Sequence, residues 1–194
     1  MKPAAHARAP GEVRIIGGQW KRTRLPVLDR PGLRPTPDRV RETLFNWLGQ
    51  DLTGWRCMDV FAGTGALGLE AASRGAAEVL LVEHDGALVQ QITRLAERLQ
   101  ASGVTARRGD GVARLAQQAG TGLDLVLLDP PFDAQALFTP ALQAAARAVA
   151  PRGYVYLEAP ARWSDEALAP LGLALARYLK AGVSHAHLLR RADS

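Results

Sequence analysis

The residues best equipped for chemistry in this chain are Asp129-Pro130-Pro131-Phe132. They follow the apolar run Leu123-Asp124-Leu125-Val126-Leu127-Leu128, which reads as a buried strand that stops at the tetrapeptide. Two prolines supply no N–H to a ladder, so the strand cannot continue through them. The chain therefore opens at the strand's carboxyl end, where open α/β sheets place their ligands. Asp129 offers a carboxylate, Pro130 a carbonyl that the sheet need not use, and Phe132 a ring face. Two acceptors beside a flat ring suit a planar heterocycle with an exocyclic amine, its two hydrogens accepted and its face stacked.

A second group of residues has the makings of an adenosine pocket. Phe61-Ala62-Gly63-Thr64-Gly65-Ala66-Leu67-Gly68 contains Gly63-x-Gly65-x-x-Gly68 between a predicted strand and a predicted helix. Such glycines let a backbone approach a ligand and let the helix pack closely on the strand. The spacing also fits NAD or FAD. Glu83 ends the next strand, where a carboxylate can accept both ribose hydroxyls. Asp59 stands where it can meet an ammonium group directly or through water, and Asp110 where it can reach an adenine amine. Each acid taken singly also fits a surface charge or a helix cap, Asp110 most readily.

The elements that must position these groups form a βα alternation after Gly54. Strands are expected at 57–61, 78–83, 105–108, 123–129 and 154–158. Helices are expected at 66–73, 87–100, 112–118 and 135–149. This order implies α/β architecture: a doubly wound, Rossmann-like sheet with right-handed crossovers. Segments 173–179 and 184–190 flank Gly182 and read as a closing antiparallel hairpin. Ahead of the sheet, 13–16 and 23–28 read as short strands. A helix from about 39 to 48 is expected, capped by Thr36 or Asp38. Three parts result: a disordered lead-in (1–12), a basic extension (13–53) and the main domain (54–194).

The chain has 194 residues and a net charge of +5. Between Arg14 and Arg41 eight basic residues face only Asp29 and Asp38, a local excess of six, so the remainder is almost neutral. A basic arm on a neutral body points to a polyanion. Arg14, Lys21, Arg22, Arg34, Arg39 and Arg41 are the candidate RNA contacts, with Gly17-Gly18 and Trp20 beside them. Apolar stretches stay well short of a membrane span. Residues 1–10 carry no signal-peptide core. The single cysteine, Cys57, permits no intramolecular disulfide, which fits a reducing cytoplasm. Its predicted burial in a strand disfavours a nucleophile. His185-x-His187 lacks a third ligand and reads as structural, so no metal is expected.

Taken together, these motifs resemble class I S-adenosylmethionine-dependent methyltransferases: the glycine turn, Glu83 and Asp129-Pro-Pro-Phe132. The segments Arg14-Ile-Ile-Gly-Gly18, Leu33-Arg-Pro-Thr36 and Asp38-Arg-Val-Arg-Glu-Thr-Leu-Phe-Asn46 narrow the resemblance to the RsmD family of bacterial 16S rRNA guanine-N2 methyltransferases. It runs from about Arg14 to Arg190. It implies transfer of a methyl group from S-adenosylmethionine to the N2 amine of a guanine in the helix 31 loop of small-subunit rRNA. It further implies Asp129, Pro130 and Phe132 as catalytic residues. Asp59, Phe61, Gly63, Gly65, Gly68, Glu83 and Asp110 would bind the cofactor. The partner would be 16S rRNA in the small subunit or its precursor, met by a cytoplasmic monomer. The alternative is a DNA adenine-N6 or other amine methyltransferase.

Overall fold

The structure is a computed structural model that describes residues 12–192; the expected disordered lead-in lies almost wholly outside them. Seven strands form one sheet: β3 (Arg56–Asp59), β4 (Glu78–Glu83), β5 (Val104–Arg108), β6 (Leu123–Leu128), β7 (Val149–Ala159), β8 (Leu173–Ala181) and β9 (Ser184–Arg191). Their order is β5-β4-β3-β6-β7-β9-β8. The first five are parallel, and β9 pairs antiparallel with both β7 and β8. Strand order reverses between β3 and β6, so a crevice opens at their carboxyl ends. Asp59 and Asp129 stand there as neighbours, with Asp59 opposite Leu127 in register.

Both faces of the sheet are buried, which explains the nearly unbroken apolar runs. On one face Met58, Val126 and Leu128 pack with Leu142 and Ala145 of α5 (Phe138–Ala148). On the other, Cys57, Leu125, Leu127 and Tyr156 pack with Leu44 and Phe45 of α1 (Asp38–Trp47) and with α2 (Ala66–Ser73). Every residue of α2 is buried, and its small side chains allow the close approach. A Cβ on Gly68 would sit 2.7 Å from Leu81 Cδ2 and 3.2 Å from Asp59 Cβ. Two further helices, α3 (Gly86–Arg98) and α4 (Gly111–Ala116), follow β4 and β5. The short α6 (Asp165–Leu168), capped by the Ser164 side chain, was not among the expected elements.

Several boundaries moved for physical reasons. β3 ends at Asp59 rather than at residue 61, because the turn needs Phe61 and Ala62. Residues 135–137 form a 3-10 turn before α5 begins. β7 starts at Val149, directly after α5, and reaches register with β6 through an irregularity between Leu123 and Leu125.

The basic extension is a two-stranded antiparallel ribbon, β1 (Glu12–Arg14) and β2 (Arg24–Pro26), followed by α1. It docks on the end of α2. Gln19 N–H donates to Ser73 O at 2.8 Å, and Ser73 Oγ donates to Gly17 O at 2.6 Å. Gly18 has φ +74° and lies where a Cβ would fall 1.9 Å from Ser73 O. Trp20 is half-buried and packs against the core. Gly17, Gly18 and Trp20 therefore take part in docking the extension. The cap of α1 also differs: Pro37 holds the position with no side-chain bond, and Thr36 and Asp38 are used elsewhere. No described helix is long and apolar enough to cross a membrane.

Candidate active site

The cofactor-side acids are held by backbone donors. After β3 the chain turns through Ala62–Gly65, and Gly65 takes φ +82° to open α2. Gly68 N–H donates to Asp59 Oδ2 at 2.9 Å, and Gly63 N–H donates to Glu83 Oε2 at 2.9 Å. Asp85 N–H donates to Glu83 Oε1 at 3.0 Å. Asp59 Oδ1 is buried with no partner, which no other buried side-chain oxygen or nitrogen is among the described residues. Burial, with nearby Glu83 adding to it, pushes the Asp59 carboxyl up to about 7 against the pull of the Gly68 N–H and, more weakly, the Phe61 N–H. A buried acid with an unmet oxygen is suited to a cationic group, so this half fits an amino-acid ammonium beside a ribose.

Asp110 is exposed and caps α4, accepting from Ala113 N–H at 3.0 Å through Oδ1. The next residue, Gly111, abuts the end of β3, since a Cβ there would lie 2.0 Å from Val60 O. Asp110 thus stands at the rim of the crevice. Phe61 is half-buried against the core beside it.

At the other half, the Pro131 carbonyl accepts from Ala134 N–H at 3.0 Å and closes the turn after β6. Among the described residues no protein donor meets the Pro130 carbonyl. Phe132 is half-buried. Asp129 Oδ2 lies 3.2 Å from Thr36 Oγ1, whose hydroxyl also lies 2.9 Å from Glu158 Oε2. Glu158 is 5% exposed, and it also accepts from Tyr156 OH at 3.1 Å and Ser184 Oγ at 2.7 Å. Burial first, then the charges of Glu158 and Asp59, raise the Asp129 carboxyl well above the usual range, with the Thr36 hydrogen bond opposing.

The sequence does not single out Thr36, Glu158, Tyr156 and Ser184 as site residues. An acid closing the apolar run Tyr154-Val155-Tyr156-Leu157 was the available signal for Glu158. Thr36 stood out only as a candidate cap and as the end of Leu33-Arg-Pro-Thr36, neither of which points to Asp129.

Five of the six candidate RNA contacts, Arg14, Lys21, Arg22, Arg34 and Arg39, are exposed. Arg41 is not, and its assignment is corrected. Its side chain is fully buried and bonds Thr36 O, Arg14 O, Asp38 and Glu70. Glu70 in turn holds Arg74 and the N–H groups of Ile16 and Gly17. A buried guanidinium surrounded by such acceptors is fastening the extension to α2.

Other features play no part at the crevice. Burial, helped by Asp124, pushes the Cys57 thiol up to about 12, so it is inert. His187 Nε2 accepts from Trp163 N–H at 3.0 Å, and its Nδ1 faces Leu157 O at 3.2 Å. No cluster able to hold a metal occurs among the described residues. Two open cavities, of about 280 and 440 Å³, lie toward the amino ends of the parallel strands, away from the acid cluster.

The sheet order and the C-terminal hairpin define a Rossmann-like methyltransferase fold. Among solved structures, the chain is similar to the Escherichia coli protein yhhF, described as a methyltransferase. The TM-score is 0.80 with 39% identity, over 93% of this chain and 98% of that one. HI0767 of Haemophilus influenzae, described as a methylase, gives a TM-score of 0.75 with 31% identity, over 93% of this chain and 99% of that one. Residues 13–190 match the model of the family described as conserved hypothetical protein 95, and the chain belongs to that family. Ribosomal RNA small subunit methyltransferase D of Escherichia coli K12 is 50% identical over 132 residues, which span 68% of this chain and 66% of that protein. The Haemophilus influenzae protein of the same name is 44% identical over 135 residues, 68% of this chain and 70% of that protein.

Proposed function

We propose that this protein transfers a methyl group from S-adenosylmethionine to the exocyclic N2 amine of a guanine in small-subunit rRNA, in the helix 31 loop. The observation that carries this reading is the placement of Asp129-Pro-Pro-Phe132 at the switch point, beside Asp59 and Glu83. The names of the relatives add the rRNA substrate. The cofactor supplies, when bound, a methyl group on a positively charged sulfur. Glu83 and the Gly63–Gly68 turn hold the ribose, Asp59 the ammonium, and Asp110 the adenine rim, with Phe61 beside it.

The chain's own task is to make a poor nucleophile react. The nitrogen lone pair of a guanine N2 is delocalised into its ring. Asp129 and the Pro130 carbonyl accept its two N–H groups, which favours a pyramidal nitrogen with its lone pair turned toward the methyl. This is orientation and preorganised electrostatics, so Asp129 must be ionised when the amine binds. Phe132 stacks on the base, which has to leave its own stack to enter. Arg14, Lys21, Arg22, Arg34 and Arg39 meet the RNA phosphates. The setting is the cytoplasm, with the protein acting as a monomer on 16S rRNA in the small subunit or its precursor.

Transfer of labelled methyl from S-adenosylmethionine to small subunits lacking the modification tests the reading, with the product nucleotide mapped by mass spectrometry. N2-methylguanine in the helix 31 loop supports it. Label appearing in DNA adenine instead, and none in rRNA, overturns it in favour of the alternative amine substrate.

A further inference from the structure

Behind the half-buried Asp129 lies a buried acid, Glu158, that the amine chemistry does not itself require. Glu158 closes β7, and its carboxylate collects three hydroxyls from three parts of the chain: Thr36 before α1, Tyr156 on β7 and Ser184 on β9. Thr36 is the shared member, since its one oxygen lies within hydrogen-bond distance of both Asp129 and Glu158. A hydroxyl has one hydrogen and can accept in return. It can therefore donate to only one carboxylate at a time. With both acids ionised, one of the two contacts sets two acceptors against each other. With one proton between the two acids the hydrogens run in one direction through Thr36, and when that proton sits on Glu158 the Thr36 hydroxyl donates to an ionised Asp129.

We infer that Glu158 and Thr36 are positioning residues that hold the Asp129 carboxyl in place and set the pH at which it becomes able to accept the amine. This deepens the reading proposed above and rests on it. The groups facing the pair are few. Asp59 on β3 and Glu158 on β7 bring like charge to Asp129, and Tyr156 adds a buried phenol. Arg41 reaches the segment through the Thr36 carbonyl, at 3.1 Å. Like charges packed this closely resist joint ionisation, so removing either one eases ionisation of the other.

Asp129 also receives the departing proton. After the methyl moves, the nitrogen is cationic and carries two hydrogens. Its N–H bond breaks as an O–H bond forms on Asp129. That leaves the amine neutral and the Asp129 carboxyl protonated. Atoms and charges balance without any further reactant.

Single-turnover methyl transfer to small subunits lacking the modification, measured across pH, tests the inference. Glu158→Gln keeps the shape and removes the like charge, so the rising limb of the rate should shift to lower pH by about one unit. Thr36→Val removes the hydroxyl that favours the ionised Asp129, so the limb should shift to higher pH and the rate fall about tenfold. Thr36→Ser should restore both. Loss of packing would lower melting temperatures but would not move the two midpoints in opposite directions. Midpoints that stay in place in both variants overturn the inference. If a variant fails to fold, carboxyl carbon NMR on the wild-type protein decides the matter. The Asp129 curve must then lie well above the ordinary carboxylate range, and an ordinary Asp129 titration overturns it. If the wild-type enzyme transfers methyl and Asp129→Asn does not, the amine site stands whatever Glu158 does. If the wild-type enzyme is inert, the proposed function itself fails.

Discussion

The two halves of the crevice hold their carboxylates by different means. On the β3–β4 side the donors are backbone N–H groups: Gly68 to Asp59, Gly63 and Asp85 to Glu83. On the β6–β7 side they are side-chain hydroxyls: Thr36, Tyr156 and Ser184. A backbone N–H only donates, and its direction is set by the turn that carries it. A hydroxyl rotates and can donate or accept. The first half is thus a fixed mould for a ligand, and the second can follow a change in protonation. That division suits a site in which one side binds and the other must shed a proton.

The strongest way to break this contrast is Asp129→Asn. If the β6–β7 half does the chemistry, single-turnover methyl transfer should fall by roughly 10²–10³, as for loss of one preorganised electrostatic partner. Calorimetric affinity for S-adenosylhomocysteine should barely change. Wild-type turnover would reduce the tetrapeptide to a stiff turn.

The mould has its own cost, which pH should expose. Asp59 titrates near 7 in the folded protein against 3.8 when free. Between those values the folded state keeps a proton that the unfolded chain has released, so stability falls as pH rises through that window. Asp59→Asn cannot ionise and escapes this loss. It should be more stable than wild type at pH 8 by up to about 4 kcal/mol, and about equal at pH 4, by urea denaturation. The same variant should bind S-adenosylhomocysteine more weakly, since the unmet oxygen would no longer carry charge. A variant no more stable than wild type at pH 8 would show that Asp59 is not strained by burial.

Glu83→Ala sharpens the contrast from the ligand side. It removes the acceptor that ties down Gly63 and Asp85, and it should weaken S-adenosylhomocysteine binding by roughly 1–3 kcal/mol. The rate at saturating cofactor should change far less. A rate loss matching that of Asp129→Asn would mean that the two halves do not act separately.

The smallest effect concerns the arm that lies outside both halves. Each of Lys21, Arg22, Arg34 and Arg39, neutralised singly, should lower the log–log salt slope of rRNA binding by about 0.7–0.9 if it meets a phosphate. Cofactor affinity should be spared. An unchanged slope for all four would place the RNA surface elsewhere.

The parts legible in the sequence are those that depend on near neighbours. The apolar runs of β4 and β6, the glycine spacing before α2, and Asp59 and Glu83 at successive strand ends were all readable. Periodicity and local turn chemistry dictate them. The hairpin around Gly182 was readable for the same reason. The basic arm was legible as charge, but charge does not say which guanidinium is buried. Arg41 reads like Arg39 two residues earlier, yet the helix turns one into the core and the other toward solvent.

By itself the sequence determined the order of strands and helices, the break at Pro130-Pro131, and the acids that the strands carry to one edge. Only the tertiary structure decided which of them meet. Thr36 lies 93 residues from Asp129 and 122 from Glu158, and no local pattern relates them. They come together because the extension is pinned to α2 by Glu70, Ser73 and Arg41. That docking carries the loop before α1 across the ends of β6 and β7. Contacts of such separation are selected by packing of the whole chain, so a polar residue in a proline-rich loop becomes part of the site only once the domain has folded.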